Sequence, residues 1–223
     1  MALVSPDVNG VVPRAYRSPA RAEAARANRR LVLQAAYQLF SEQGYPRTTV
    51  AEIAAAAKVS VETVYKSFGS KRGLLKELAD VTVAGDDEQV ALLERADPLA
   101  LRDEPDQRRQ VAMFAAGMAV QMERVRPFDD ILRTAAVVDT EVAALRDDLQ
   151  LRQRRAAMTM IAGWLAARGP LRQSVEETAA VIWTLTSPEV HRMLRVDWQW
   201  SPEQYEAWLR TTLGASLLPG DAP

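Results

Sequence analysis

The chain has no cysteine and a single histidine, His191, among 223 residues. Without cysteine there is no disulfide framework, no thiolate nucleophile and no thiolate metal site, which fits a reducing cytoplasm. A Ser–His–Asp arrangement would have to use His191, which follows Ser187-Pro188-Glu189 near a helix end. A histidine–carboxylate metal site lacks a second imidazole at helical spacing. His191 is therefore read as a half-exposed surface residue. No Gly-rich phosphate loop is present, and no run of roughly 18 apolar residues could span a bilayer. The N-terminus lacks the basic-then-apolar pattern of a signal peptide. Alternating runs with turn signals, the mark of strands, are missing too. The acidic groups Asp86-Asp87-Glu88 and Asp147-Asp148 fall on polar helix faces and read as solvated charge rather than an acid–base pair. Catalysis, cofactors, metals and membrane are not expected; a soluble, cytoplasmic, all-α protein is.

The net charge of −1 hides an asymmetry. Residues 1–80 hold 12 Lys+Arg against 7 Asp+Glu, a net of +5, and residues 81–223 hold 16 against 22, a net of −6. A basic N-terminal part on an acidic remainder suits phosphate contact by one end only. Residues 1–25 read as a flexible basic leader. Its Arg14, Arg17 and Arg21 suit either a minor-groove arm or a solvated tail.

The first helix is expected from about Ala25 to Gln43, with Val32, Ala36, Leu39 and Phe40 as its buried stripe and Gly44 as its C-terminal cap. The stretch from 48 to 71, TTVAEIAAAAKVSVETVYKSFGSK, is the most informative. Val50, Ile53, Ala54 and Ala57 stand at i, i+3, i+4 and i+7, with Thr48 or Thr49 as N-cap. Val59 turns inward, Ser60 caps a second short helix, and Val64 and Phe68 face the core one turn apart. That leaves Val61, Glu62, Thr63, Tyr65, Lys66 and Ser67 facing out. Two short helices on a tight turn, the second with a free polar and aromatic face, make a helix-turn-helix. Gly69 ends the unit, Ser70 caps a fourth helix carrying Leu74, Leu75, Leu78 and Thr82, and a domain boundary is expected near residue 86.

Thr49, Ile53-Ala54-Ala55, Val59-Ser60, Thr63, Tyr65, Phe68 and Ser70-Lys71 resemble the signature of TetR-type transcriptional regulators. Val32-Leu33, Ala35-Ala36, Leu39-Phe40 and Gly44-Tyr45 resemble that family's first helix. The likeness covers residues 26–86 and continues more loosely over 174–218. One departure is Lys58, where the family usually has Gly. If φ is positive there, a side chain costs on the order of 1 kcal/mol.

Beyond Pro105 the sequence reads as helix throughout. Val111, Phe114, Met118, Met122 and Val125 space one helix, which Pro127 is expected to terminate. Ile131, Leu132, Ala135 and Ala136 mark a shorter one. Val142, Leu145, Leu149, Ala156, Ile161 and Leu165 trace a long one that Gly169-Pro170 stops. Val175, Ala179, Ile182 and Thr186 continue to Pro188. Ser201-Pro202 then opens a last helix, and residues 219–223 read as a loose tail.

These features define an N-terminal three-helix DNA-binding domain over 26–86 and a larger helical domain over 87–218. The resemblance implies a ligand-responsive homodimer, most often a repressor, on a palindromic double-stranded DNA operator. In that family the last two helices pair between subunits, and an effector shifts the fourth helix and so the spacing of the reading heads. The DNA-contacting set is expected to be Thr49, Ser60, Val61, Glu62, Thr63, Tyr65, Lys66, Ser67 and Lys71, the two lysines meeting phosphate or a guanine edge. A small apolar or amphipathic effector is expected against Met113, Phe114, Met118, Met158, Ile161, Trp164 and Trp183, because soft and aromatic side chains line such pockets. The dimer interface is expected at Val175, Ala179, Ile182, Tyr205, Trp208, Leu209, Thr212 and Leu213. The alternative is a helical binding or scaffold protein whose helix-turn-helix is structural. The outward Tyr65-Lys66 surface on a basic domain argues against it.

Overall fold

A computed structural model describes residues 19–85 and 95–220; all described elements are helical. Arg14 and Arg17, the acidic group at 86–88 and the tail beyond 220 lie outside the described residues.

The first four helices are α1 (Pro19–Gln43), α2 (Val50–Ala56), α3 (Val61–Phe68) and α4 (Lys71–Ala84). Helix α1 starts six residues ahead of the expected Ala25, through an Ala-rich stretch of strong helix formers. It ends at Gly44, whose φ of 83° is open to glycine at little cost. Ile53, Ala54, Val64, Leu74, Leu75 and Leu78 pack with Val32, Ala36, Phe40 and Tyr45 into one buried core.

The remaining helices are α5 (Ala96–Asp103), α6 (Gln107–Ala136), α7 (Thr140–Asp147), α8 (Arg155–Ala166), α9 (Val175–Leu185), α10 (Pro188–Arg192) and α11 (Pro202–Leu217). A π-helical stretch, Asp148–Arg154, joins α7 to α8 without a break, and a second, Met193–Asp197, prolongs α10. A second core gathers Val111, Phe114, Met118 and Met122 of α6, Met158, Ile161 and Leu165 of α8, Ile182 of α9, and Tyr205, Leu209, Leu213 and Leu217 of α11.

Pro127 does not end a helix: α6 runs through it to Ala136. Loss of its N–H and the ring clash cost about 3 kcal/mol. Phe128, Ile131, Leu132 and Ala135 just beyond are buried against the first core. Burying several large apolar side chains at about 1.5–3 kcal/mol each outweighs that cost. Pro188 likewise starts α10 behind a Ser187 cap. One helix thus belongs to both cores, its first half in the second and its last turns in the first.

His191 is also placed differently from expectation. It is fully buried, with Nε2 3.1 Å from Glu123 Oε1 and its ring edge-on to Tyr205 at 4.7 Å. Glu123 also accepts from Arg195 Nε at 2.5 Å. Burial outweighs the carboxylate and holds the imidazole below its ordinary pKa.

Candidate DNA-binding face and internal cavity

The helix-turn-helix is fixed by local hydrogen bonds. Thr49 and Glu52 form a capping box at the start of α2, so the Thr49 hydroxyl is engaged with its own helix. At the other end Lys58 N–H donates to Ala55 O at 3.1 Å and Val59 N–H to Ala54 O at 3.0 Å, the paired bonds of a Schellman turn. Such a turn needs a left-handed residue, and Lys58 supplies it with φ 55°. Ser60 then caps α3 by accepting from Thr63 N, and its hydroxyl lies 2.8 Å from the Thr63 hydroxyl.

Helix α3 is anchored by its back face alone. Val64 is buried and Phe68 half-buried, whereas Val61, Glu62, Tyr65, Lys66 and Ser67 are exposed, Tyr65 by 51%. Thr63 is half-buried. From behind, Arg29 of α1 donates to the Ser67 carbonyl at 3.1 Å, pairs with Glu77 and stacks over Phe68 at 4.7 Å. The start of α4 comes so close that a Cβ on Gly73 would lie 2.0 Å from the Phe68 carbonyl oxygen.

Lys71 is not on this free face. Its ammonium donates to the Tyr45 carbonyl at 2.9 Å and the Thr48 carbonyl at 3.0 Å, and lies 4.2 Å from the Tyr45 ring centre. These contacts tie the start of α4 to the loop before α2, and burial lowers the ammonium pKa. In this structure Lys71 has a structural role in place of a free, outward ammonium. A lysine in the first turn of a helix, where positive charge is disfavoured, hinted at this partner.

A cavity of about 1340 Å³ opens between the end of α4, α5, α6 and the α7–α8 helix. Of the residues expected to meet an effector, Met113, Phe114, Met118, Met158 and Ile161 line it. Trp164 and Trp183 are not on its wall. Trp183 turns aside, its indole donating to Gln150 O at 3.2 Å with Arg154 over its ring at 5.2 Å. Unforeseen on the wall are Met122, Gln150 and Arg154. The i, i+4, i+8 register of Gln150, Arg154 and Met158 is the signal that placed them together.

Five of the eight expected interface residues do not face outward. Ala179, Ile182, Tyr205, Leu209 and Leu213 are buried in the chain's own second core, where α11 packs on α6. Both faces of these helices carry apolar residues, and the larger side chains turned inward. Val175 is exposed, Trp208 and Thr212 are half-buried, and Ala180, Thr184, Ala207, Thr211 and Ala215 form the open face.

Residues 32–78 match the family model described as bacterial regulatory proteins, tetR family. Over these residues the chain carries a TetR-family N-terminal domain. The chain is 49% identical over 47 residues to the HTH-type transcriptional regulator HbdR of Aromatoleum sp. (strain CIB), covering 21% of this chain and 20% of that protein. The match thus spans only about a fifth of that curated relative's length. Over the whole fold, the crystal structure of NalD, the secondary repressor of the MexAB-OprM multidrug efflux pump in Pseudomonas aeruginosa, superposes with a TM-score of 0.66 at 20% identity, covering 88% of this chain and 98% of that one. The transcriptional regulator FadR from Bacillus subtilis, solved with stearoyl-CoA, gives 0.63 at 16% identity over 82% and 96%. At such identities the shared property is the TetR fold. It comprises an N-terminal helix-turn-helix and a larger helical C-terminal part.

Proposed function

We propose that this TetR-family protein is a cytoplasmic repressor that binds a palindromic operator as a homodimer and leaves it when a small apolar or amphipathic molecule fills the cavity. The observation that carries the reading is the outward face of α3. An aromatic, a lysine and short hydroxyls stand exposed on a helix whose opposite face is pinned by Val64, Phe68 and Arg29. Tyr65 and Lys66 meet the phosphate backbone or a guanine edge, Val61 a thymine methyl, and Ser60, Thr63 and Ser67 backbone or base edges. Thr49 offers its hydroxyl to a phosphate only by sharing it with Glu52.

One α3 covers few base pairs, so affinity requires two, spaced by multiples of roughly 34 Å. The dimer face is the small-residue side of α9 and α11 around Ala180, Thr184, Ala207, Thr211 and Ala215, with Val175, Trp208 and Thr212 at its margins. Two elements connect the cavity to the reading head. Helix α4 has Leu74, Leu75 and Leu78 in the first core and Val83 and Ala84 on the cavity wall. Phe128 and Leu132 of α6 touch both. A ligand that favours one placement of these helices changes the separation of the two α3 helices, which is a coupling between distinct sites. The stearoyl-CoA complex of FadR supports an amphipathic ligand for this fold. The test is footprinting of the purified protein on genomic fragments. A protected two-fold symmetric site supports the reading, and uniform salt-sensitive coating of DNA opposes it.

A further inference from the structure

The wall of the cavity carries a cation that the protein leaves incompletely bonded. Arg154, at the end of the π-helical stretch, donates through Nη2 to the Trp183 carbonyl and to Thr186 Oγ1 at 3.0 Å, and stacks on Trp183. Its Nε and Nη1 are buried with no hydrogen-bond partner. Burial pushes the guanidinium pKa down to about 10, only partly offset by the charges of Glu189 and Asp129. Neither carboxylate bonds to it, because Arg146 takes both. Arg146 holds Asp129 through two contacts of 2.9 Å and Glu189 through one of 2.8 Å. Tyr205 nearby offers no charge either, because burial raises its phenol pKa far above the ordinary value.

A buried guanidinium that lacks an anion is an unfavourable arrangement, because desolvation is not repaid by pairing. An arginine fork presents parallel donors that match a carboxylate. Its Nε and Nη1 have no protein bond to give up to a ligand. Charge on the rest of the wall points the same way. Among the described residues of the wall, Arg95, Arg124 and Arg154 stand against Asp97 and Asp129, and Asp129 is already held by Arg146. Met113, Phe114, Met118, Met122 and Ile161 supply an apolar lining beside this one cation.

Resting on the reading of this cavity as the effector site, we propose that the effector is an amphipathic monocarboxylate whose carboxylate is bound by Arg154 while its apolar body lies against the methionine and phenylalanine wall. The site discriminates against a neutral analogue, which leaves the guanidinium unpaired, and against a cationic one, which meets like charge.

The test uses the full chain and three ligands with the same tail: dodecanoate, dodecanol and dodecyltrimethylammonium. Binding is read by tryptophan fluorescence and checked by calorimetry. Dodecanoate should bind at least about tenfold tighter than dodecanol, the difference one charge-assisted contact makes, and the ammonium should bind weakest. Arg154→Met should bring the dodecanoate-to-dodecanol ratio to about one while dodecanol affinity stays within about twofold. Arg154→Lys, which keeps charge without the fork, should retain part of the preference and carries the same comparison if the methionine variant fails to fold. Equal binding of dodecanoate and dodecanol by the wild type overturns the carboxylate anchor and leaves the cavity reading standing. So does an unchanged ratio in either variant. Binding of none of the three removes both.

Discussion

Lys71→Met separates a structural lysine from a DNA-contacting one. The ammonium makes two hydrogen bonds to backbone carbonyls, at 2.9 and 3.0 Å, and a ring contact at 4.2 Å. Bonds to a charged group contribute about 1.5–3 kcal/mol each, and a partly exposed cation–π contact about 0.5–1. Two terms reduce that sum. Water can reach the freed carbonyls, and removing a positive charge from the start of α4 returns about 0.3–1 kcal/mol. The net loss should be about 2–3 kcal/mol, which for a chain of this size lowers the melting temperature by about 4–12 °C. The assay is thermal unfolding by circular dichroism, with operator affinity measured in parallel over a salt series. Each phosphate contact contributes about 0.9 to the slope of log affinity against log salt. Lys66→Ala should reduce that slope by about one contact per half-site with little change in melting temperature. Lys71→Met should do the reverse. A Lys71→Met variant that melts like wild type but loses slope would refute the structural role and restore Lys71 to the DNA-binding face.

Lys58→Gly should stabilise the protein by up to about 1 kcal/mol, because it removes a side chain from a left-handed position; a lowered melting temperature would contradict this. Gly73→Ala should do harm, since the new methyl would meet the Phe68 carbonyl at 2.0 Å and push α3 from its seat. Both thermal stability and operator affinity should fall, and wild-type values for both would show that the approach of α4 to α3 is looser than described. His191 sets a pH dependence. Its pKa lies below 6.5 when folded, so unfolding binds a proton that the folded imidazole resists. Stability should be level above about pH 6.5 and fall as the pH drops below it. His191→Gln should flatten that fall in urea titrations between about pH 7 and 5, above the range where Glu123, whose pKa is also lowered, begins to lose its charge.

The N-terminal unit was legible in the sequence because its signals are local. Caps at Thr49 and Ser60, the stripe from Val50 to Ala57 and the demand for a left-handed residue at Lys58 all act within one turn of the chain. What escaped was set by distant packing. Pro127 reads as a helix stop until the burial of Phe128 and Leu132 in the first core is known. His191 reads as surface until Glu123, 68 residues away, provides its partner. Ile182, Tyr205, Leu209 and Leu213 were assigned to a subunit interface because helices apolar on two sides do not reveal which side turns inward. In the cavity the methionines were legible, since a soft apolar stripe is its own signal. Arg154 was not, because on a helix rich in arginine only the fold shows which one is buried with donors left unbonded.

The most direct test of the central claim is titration of a footprinted operator by fluorescence anisotropy, comparing wild type with Tyr65→Ala and Lys66→Ala. Each variant should fold as wild type by circular dichroism and lose about 1–3 kcal/mol of operator binding. Wild-type affinity in both folded variants would contradict the assignment of α3 as the element that reads DNA.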